Sequence, residues 1–199
     1  MKAWILCISG FTETIGEHTG TARLWKQLRK LSSPETSVQL FEWDENWRKK
    51  AAFIAEHSDP DVRILVCAYS WGAGYGFRKL ARHLQHYDIA IETAVLCDPI
   101  YRSRTLFLRW LAFVPGLPIR IPTNVREVFY FFQRKDRLLR GHHPKAVSLG
   151  TWIRPGVEID RNHSGIDEHQ KYHTLAHGEA LRILNQSPRE AGQPNLEEG

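Results

Sequence analysis

Hydrophobic and polar positions along the chain predict strands and helices in alternation. Apolar or alternating runs that are typical of strands occupy residues 3–9, 37–43, 62–69, 89–97, 125–132 and a short stretch around 151–153. Apolar residues at helical spacing occupy 20–31, 46–57, 72–86 and 167–185. Because strands alternate with helices, the predicted class is α/β, with a doubly wound, mostly parallel sheet flanked by helices.

The length and composition favour a single globular domain. The chain has 199 residues, of which 42% are hydrophobic and 25% charged, which excludes bulk disorder, and no repeat period that would indicate a fibrous protein is visible. We expect one domain over 1–185. Within it, the apolar, arginine-containing stretch at about 100–124 predicts a short cap, and residues 186–199 have little to bury and predict a flexible tail.

The apolar runs are too short to predict a membrane-spanning helix, since such a helix needs about 20 apolar residues. The first run is followed by Ser9-Gly10-Phe11, and we interpret it as a strand and not as a signal peptide.

Three cysteines, Cys7, Cys67 and Cys97, lie inside apolar runs, which favours buried free thiols. We therefore expect a protein of a reducing compartment, the cytoplasm.

Positive charge is concentrated in one part of the chain. The whole sequence carries a formal +5, whereas residues 101–145 contain ten Lys and Arg against two acids, a formal +8. Such a segment attracts anionic partners, or it is an ordinary solvated surface. The sequence leaves both interpretations open.

Four residues with catalytic potential follow predicted strands. Ser70 comes after 62–69, Asp98 after 89–97, Asp136 shortly after 125–132, and His163 shortly after the last β segment. Ligands of open α/β sheets bind outside the carboxyl ends of the strands, so we expect these side chains at one edge of the sheet.

The segment Ala68-Tyr69-Ser70-Trp71-Gly72 carries the most specific signal. It lies between a strong strand and a helix, and small residues beside a serine give room for a strained strand-to-helix turn. In this segment and in the order serine, aspartate, histidine, the chain resembles the α/β-hydrolase superfamily over about residues 3–185. The nucleophile-elbow motif of that superfamily is Gly-x-Ser-x-Gly, and in this chain Ala68 stands in the first glycine position. The resemblance implies a minimal, cutinase-like version of the fold with a short cap.

The resemblance assigns a catalytic triad. Ser70 would be the nucleophile, and His163, in the loop before the last helix, would be the general base. The acid of this superfamily most often follows the strand after the cap, which favours Asp136. Asp98, one strand earlier, is the alternative that some members use.

The resemblance also implies an oxyanion hole and a substrate pocket. The backbone N–H groups of Phe11 and Trp71 would stabilise the oxyanion. Cap residues cover the site in this superfamily, so Leu106, Trp110 and Phe113 are predicted to bind the acyl group, or else to pack on the sheet.

These expectations describe a serine hydrolase that cleaves an ester or thioester and needs no metal or organic cofactor. Its partner would be a small-molecule or lipid acyl ester, anionic if the basic segment binds it, with nucleic acid less favoured and peripheral membrane contact allowed by the basic cap. Two alternatives stay open: a catalytically inactive binding module of the same fold, and a binder of anionic surfaces or nucleic acid through 101–145.

A helix face with His169, His173 and His177 allows a metal site, but a solvated face is favoured because no H-E-x-x-H motif is present.

Overall fold

The structure, a computed structural model, describes residues 1–11, 19–103, 105–114, 116–137 and 139–185. Within this part of the chain, seven strands form one sheet with parallel pairing: β1 (Ala3–Ile8), β2 (Thr36–Phe41), β3 (Arg63–Tyr69), β4 (Ile91–Cys97), β6 (Val125–Phe132), β8 (Trp152–Ile153) and β9 (Val157–Glu158). Their order in the sheet is β2-β1-β3-β4-β6-β8, with β9 also paired to β6. A separate small ladder pairs β5 (Ile119–Ile121) with β7 (Pro144–Ala146).

Helices cover both faces of the sheet, as the alternation of elements predicts. They are α1 (Gly20–Leu28), α2 (Trp47–Glu56), α3 (Phe77–Gln85) and α4 (Gln170–Asn185). Alternate residues of β1 enter two separate cores: Trp4, Leu6 and Ile8 pack with α2 and α3, and Ala3, Ile5 and Cys7 pack with α1 and α4. Side chains of a strand point to opposite faces in turn, so a strand that is apolar throughout is buried on both sides.

The predicted α/β class with a doubly wound, mostly parallel sheet is confirmed. The predicted strand over 125–132 has the observed bounds. The helix predicted over 72–86 begins with a π-helical turn, Gly72–Gly76, before α3. In the cap region the observed elements are a 3₁₀ segment, Leu106–Phe113, and the short strand β5.

No helix among the described residues is long and apolar enough to cross a bilayer. The predicted tail, 186–199, lies outside the described residues.

Candidate active site

Ser70 follows the end of β3 in a backbone conformation that few residues adopt. Its φ is +52°, in the left-handed region, where a side chain other than that of glycine is strained. The residue is only 5% exposed. A strained serine at a strand-to-helix turn directs its hydroxyl outward at the carboxyl edge of the sheet.

Two glycines allow the turn after Ser70 to pack closely on the neighbouring backbone. A Cβ at Gly72 would overlap the carbonyl oxygens of Ile8 and Ser9 at the end of β1, and a Cβ at Gly74 would overlap the carbonyl of Ile100. Both glycines belong to the π-helical turn, a feature that often accompanies functional sites. The small residues that the sequence places after the serine are thus required by close backbone contacts.

The described side chains include a continuous hydrogen-bonded series of serine, histidine and aspartate. The Ser70 Oγ lies 2.9 Å from Nε2 of His163, and Nδ1 of the same ring lies 2.6 Å from Oδ2 of Asp98. A carboxylate only accepts hydrogen bonds, so Nδ1 carries the proton and Nε2 is free to accept from the serine hydroxyl. This is the tautomer that a general base for Ser70 requires.

Asp98 is fully buried, at 0% exposure, and its carboxylate is held by donors on two sides. Besides the imidazole, Nε2 of Gln133 donates to Oδ2 over 3.1 Å, and the Gln133 N–H lies 3.4 Å from Oδ1. The same amide group donates to the carbonyl of Leu139, and its oxygen accepts from the N–H of Asp136. Since a buried charge needs hydrogen-bond partners, Gln133 fixes the acid that orients the imidazole.

The contact expected of Asp136 with Nδ1 of His163 is made by Asp98 instead. Asp136, in the loop after β6, instead accepts a hydrogen bond through Oδ2 from the backbone N–H of His163 at 2.6 Å. It therefore holds the main chain of the histidine and not its ring. Asp98 makes the ring contact from the position directly after β4, where its φ is +42°.

Tyr69 adds a further constraint on the histidine. Its hydroxyl donates to the carbonyl of His163 over 2.6 Å, and its ring stacks on the imidazole with 5.2 Å between centroids. No sequence pattern predicts these roles for Tyr69 and Gln133, although Tyr69 ends β3 and Gln133 directly follows β6. Their contacts depend on the folded loops and leave no signal in the spacing of residues.

The two residues predicted to supply oxyanion donors lie beside Ser70. A Cβ built on Gly10, immediately before Phe11, would come within 3.2 Å of the Ser70 Cβ, and the rings of Phe11 and Trp71 are 4.2 Å apart. The turn after β1 and the turn after β3 therefore meet at the serine. That their N–H groups stabilise an oxyanion stays a prediction.

A cavity of about 390 Å³ opens over Ser70. Its lining residues are Phe11, Thr19, Gly20, Tyr69, Ser70, Trp71, Ile100, Leu139, His163, Ser164, Asp167 and Glu168. Apolar side chains thus face the serine together with a few polar groups, as in ordinary ligand sites.

The cap residues predicted to bind an acyl group do not line this cavity within the described part of the chain. Trp110 and Phe113 are exposed on the 3₁₀ segment Leu106–Phe113. The side chain of Leu106 lies outside what the structure describes. Among the described residues, the apolar part of the cavity wall comes instead from Phe11, Ile100 and others that follow the strands.

The histidine face considered as a metal site and the basic segment 101–145 both contain residues that are bound to other groups of the protein. His173 donates from Nε2 to the carbonyl of Asp167 over 2.8 Å, and no group of three metal-ligating side chains is found among the described residues. Part of the basic segment is paired with acids from elsewhere: Arg126 with Glu92, Arg134 with Glu158 and Lys135 with Asp160.

His142 is buried and His173 is half-buried, and burial favours the neutral form of each imidazole. Nδ1 of His142 accepts from the N–H of Tyr101, and its Nε2 donates to the carbonyl of Val114. Burial lowers the pKa of His142 and also that of His173. The folded state therefore favours neutral imidazoles. The stability that these two histidines contribute is fully present above the unfolded pKa of about 6.5 and is lost as the pH falls through their lower folded pKa values.

We expect the urea midpoint of unfolding to fall between pH 7.5 and pH 5.5. The double variant His142→Gln/His173→Gln should lose much of this pH dependence, because glutamine does not titrate. His86→Gln, which changes an exposed histidine, should retain it. An equal fall in the midpoint for wild type and the double variant would show that these two histidines do not cause it.

Neither of two comparisons with known proteins identifies a relative of this chain. No model of a known protein family matches the chain, and a search of curated proteins finds no match. The activity of the site is therefore inferred from its geometry.

Proposed function

We propose that the protein is a serine hydrolase of the α/β-hydrolase type that cleaves an ester or thioester. The observation that supports this most strongly is the series Ser70–His163–Asp98, with contacts of 2.9 and 2.6 Å, on a serine with positive φ. A serine that only ends a strand needs neither the strained backbone nor an imidazole with a buried carboxylate behind it. The doubly wound sheet and the order of the three residues along the chain agree with this type.

The proposed reaction begins with acylation of the serine. Oγ of Ser70 attacks the acyl carbon while its proton passes to Nε2 of His163, and the imidazolium is stabilised by Asp98. The tetrahedral oxyanion would be stabilised by N–H donors at Phe11 and Trp71. Collapse of the intermediate breaks the bond to the alcohol or thiol, which leaves with the proton from Nε2.

Deacylation repeats these steps with water. Nε2 takes a proton from a water molecule, whose oxygen attacks the acyl carbon, and the carboxylic acid is released as Ser70 regains its proton. In this mechanism Gln133, Tyr69 and Asp136 are positioning residues, since they hold the acid, the ring and the main chain of the histidine.

A panel of p-nitrophenyl esters and acyl thioesters of increasing chain length tests the proposal. We expect hydrolysis of at least one class, with a burst of p-nitrophenol if deacylation is slow. Ser32→Ala, which changes an exposed serine away from the site, should hydrolyse at the wild-type rate. Absence of hydrolysis across both classes would favour the alternative of a hydrolase-like binding module.

We also propose that the protein works in a reducing compartment such as the cytoplasm. The support is that Cys7, Cys67 and Cys97 are buried thiols that form no disulfide. Cys7 and Cys67 are in register on β1 and β3, and their contact together with burial raises the pKa of the Cys67 thiol well above its ordinary value. Such thiols are inert side chains of the core.

A further inference from the structure

A second cavity, of about 160 Å³, lies beside the loop that follows β4. Its lining residues are Tyr75, Arg78, Lys79, Arg82, Tyr101, Arg102 and Ser103. Of these described lining residues, four are cationic and none is acidic. We call this the cationic cavity.

The cations of this cavity are gathered from two elements. Arg78 and Arg82 lie four residues apart on α3 and therefore share one face of the helix, an arrangement in which like charges cost stability. Arg102 reaches in from the loop after β4, with its guanidinium 3.9 Å from the centre of the Trp43 ring and 4.0 Å from that of Trp71. Stacking on two indole rings fixes a guanidinium in place.

Arg78, which lines the cavity, is held by two hydrogen bonds to backbone carbonyls. Its Nε donates to the carbonyl of Arg120 over 3.1 Å, and one terminal nitrogen donates to the carbonyl of Gly74 over 3.3 Å. Burial lowers the pKa of the Arg78 guanidinium, and the charges of Arg82 and Arg120 lower it further. The crowding of positive charge would be relieved by a bound anion.

The lining suits a phosphate group in size and chemistry. Arginine donors bind tetrahedral oxyanions through paired hydrogen bonds, and the hydroxyls of Tyr75, Tyr101 and Ser103 offer further donors. A cavity of about 160 Å³ holds such a group with some water, since a water molecule in the liquid takes about 30 Å³.

The cationic cavity and the candidate active site are lined by consecutive residues of one segment, 100–103. The N–H of Ile100, which lines the active-site cavity, donates to the carbonyl of Ser70, and the next two residues, Tyr101 and Arg102, line the cationic cavity. Trp71, directly after Ser70, lies beneath the Arg102 guanidinium. An anionic group in this place is therefore adjacent to the nucleophile turn.

We propose that the cationic cavity binds a phosphate or phosphate-ester group and that this group is part of the ester cleaved at Ser70. The second half rests on the proposed function, whereas binding of the anion does not. The two halves are tested by separate measurements on the same variants.

The binding half is tested by calorimetric titration of the full chain with inorganic phosphate and with phenyl phosphate at fixed ionic strength. We expect both ligands to bind, and the double variant Lys79→Gln/Arg82→Gln to bind at least about tenfold more weakly, the effect of losing a charge-assisted hydrogen bond. Both side chains are partly or fully exposed, so the variant should fold, which its circular dichroism checks. Lys30→Gln, on the opposite face of the sheet, should bind as wild type. Failure of wild type to bind either ligand, or equal binding by the double variant, would overturn the site.

The substrate half is tested with two esters of the same acyl chain, one with a neutral alcohol and one with an alcohol that carries a phosphate. Wild type should have the higher kcat/KM for the phosphate ester, and the double variant should lose at least about tenfold on that ester while keeping its rate on the neutral one. Equal kcat/KM for the two esters in wild type would overturn this half. If neither ester is cleaved but phosphate still binds, it is the proposed hydrolase function that fails and not the anion site.

Discussion

Replacing Ser70 by alanine should lower kcat for any ester the protein hydrolyses by on the order of 10⁶, the magnitude found when a triad serine is removed. The reason is that no other described hydroxyl is hydrogen bonded to Nε2 of His163. The fold should persist, because alanine is smaller than serine and adds no strain to that already present at this φ.

The measurement combines steady-state kinetics with urea unfolding. We expect the free energy of unfolding of Ser70→Ala to stay within about 1 kcal/mol of wild type. Ser32→Ala serves as the matched control for loss of a hydroxyl. Residual activity of Ser70→Ala within tenfold of wild type would remove Ser70 from the mechanism.

Replacing Asp98 by asparagine should lower kcat by about 10⁴, the effect of the same change in a serine protease triad. An asparagine that donates its amide proton to Nδ1 leaves the proton of His163 on Nε2, where it prevents transfer from Ser70. KM should change little, because Asp98 is buried behind the imidazole and does not line the cavity.

Asp136→Asn is the matched control for this prediction. Its amide oxygen can still accept from the N–H of His163, so kcat should fall by less than about tenfold, as for the loss of the charged part of one hydrogen bond. A loss for Asp136→Asn equal to or larger than that for Asp98→Asn would restore Asp136 as the preferred acid.

The positions of Asp98 and Asp136 along the sequence do not show which of the two is the triad acid. β4 and β6 are neighbours in the sheet, so Asp98 and Asp136 both follow strands at the same edge, and neighbouring strands are only about 4.8 Å apart. In the fold, the carboxylate that reaches the ring is that of Asp98, which has a φ of +42° and accepts from the amide of Gln133. Such contacts arise from folded loops and leave no periodic signal along the chain.

Elements with strong hydrophobic patterns were predictable. The run over 125–132 forms β6 with the same bounds, and the run over 62–69 forms β3, Arg63–Tyr69, because burial on both faces of a sheet demands continuous apolar residues. The two-residue strand β9 and the three-residue ladder of β5 and β7 are too short to show a pattern. In the segment predicted to be a cap, the apolar residues form the 3₁₀ segment with exposed Trp110 and Phe113, so an apolar composition alone does not indicate the lining of the cavity.

Labelling with a fluorophosphonate probe, followed by intact mass and peptide mapping, tests most directly whether Ser70 is an activated nucleophile. We expect one adduct per chain, located on Ser70, at full extent in Ser32→Ala and absent at neutral pH in His163→Ala, because the hydroxyl is unreactive without its base. Absence of an adduct under conditions that label a known serine hydrolase, or an adduct on a different residue, would contradict the proposed mechanism.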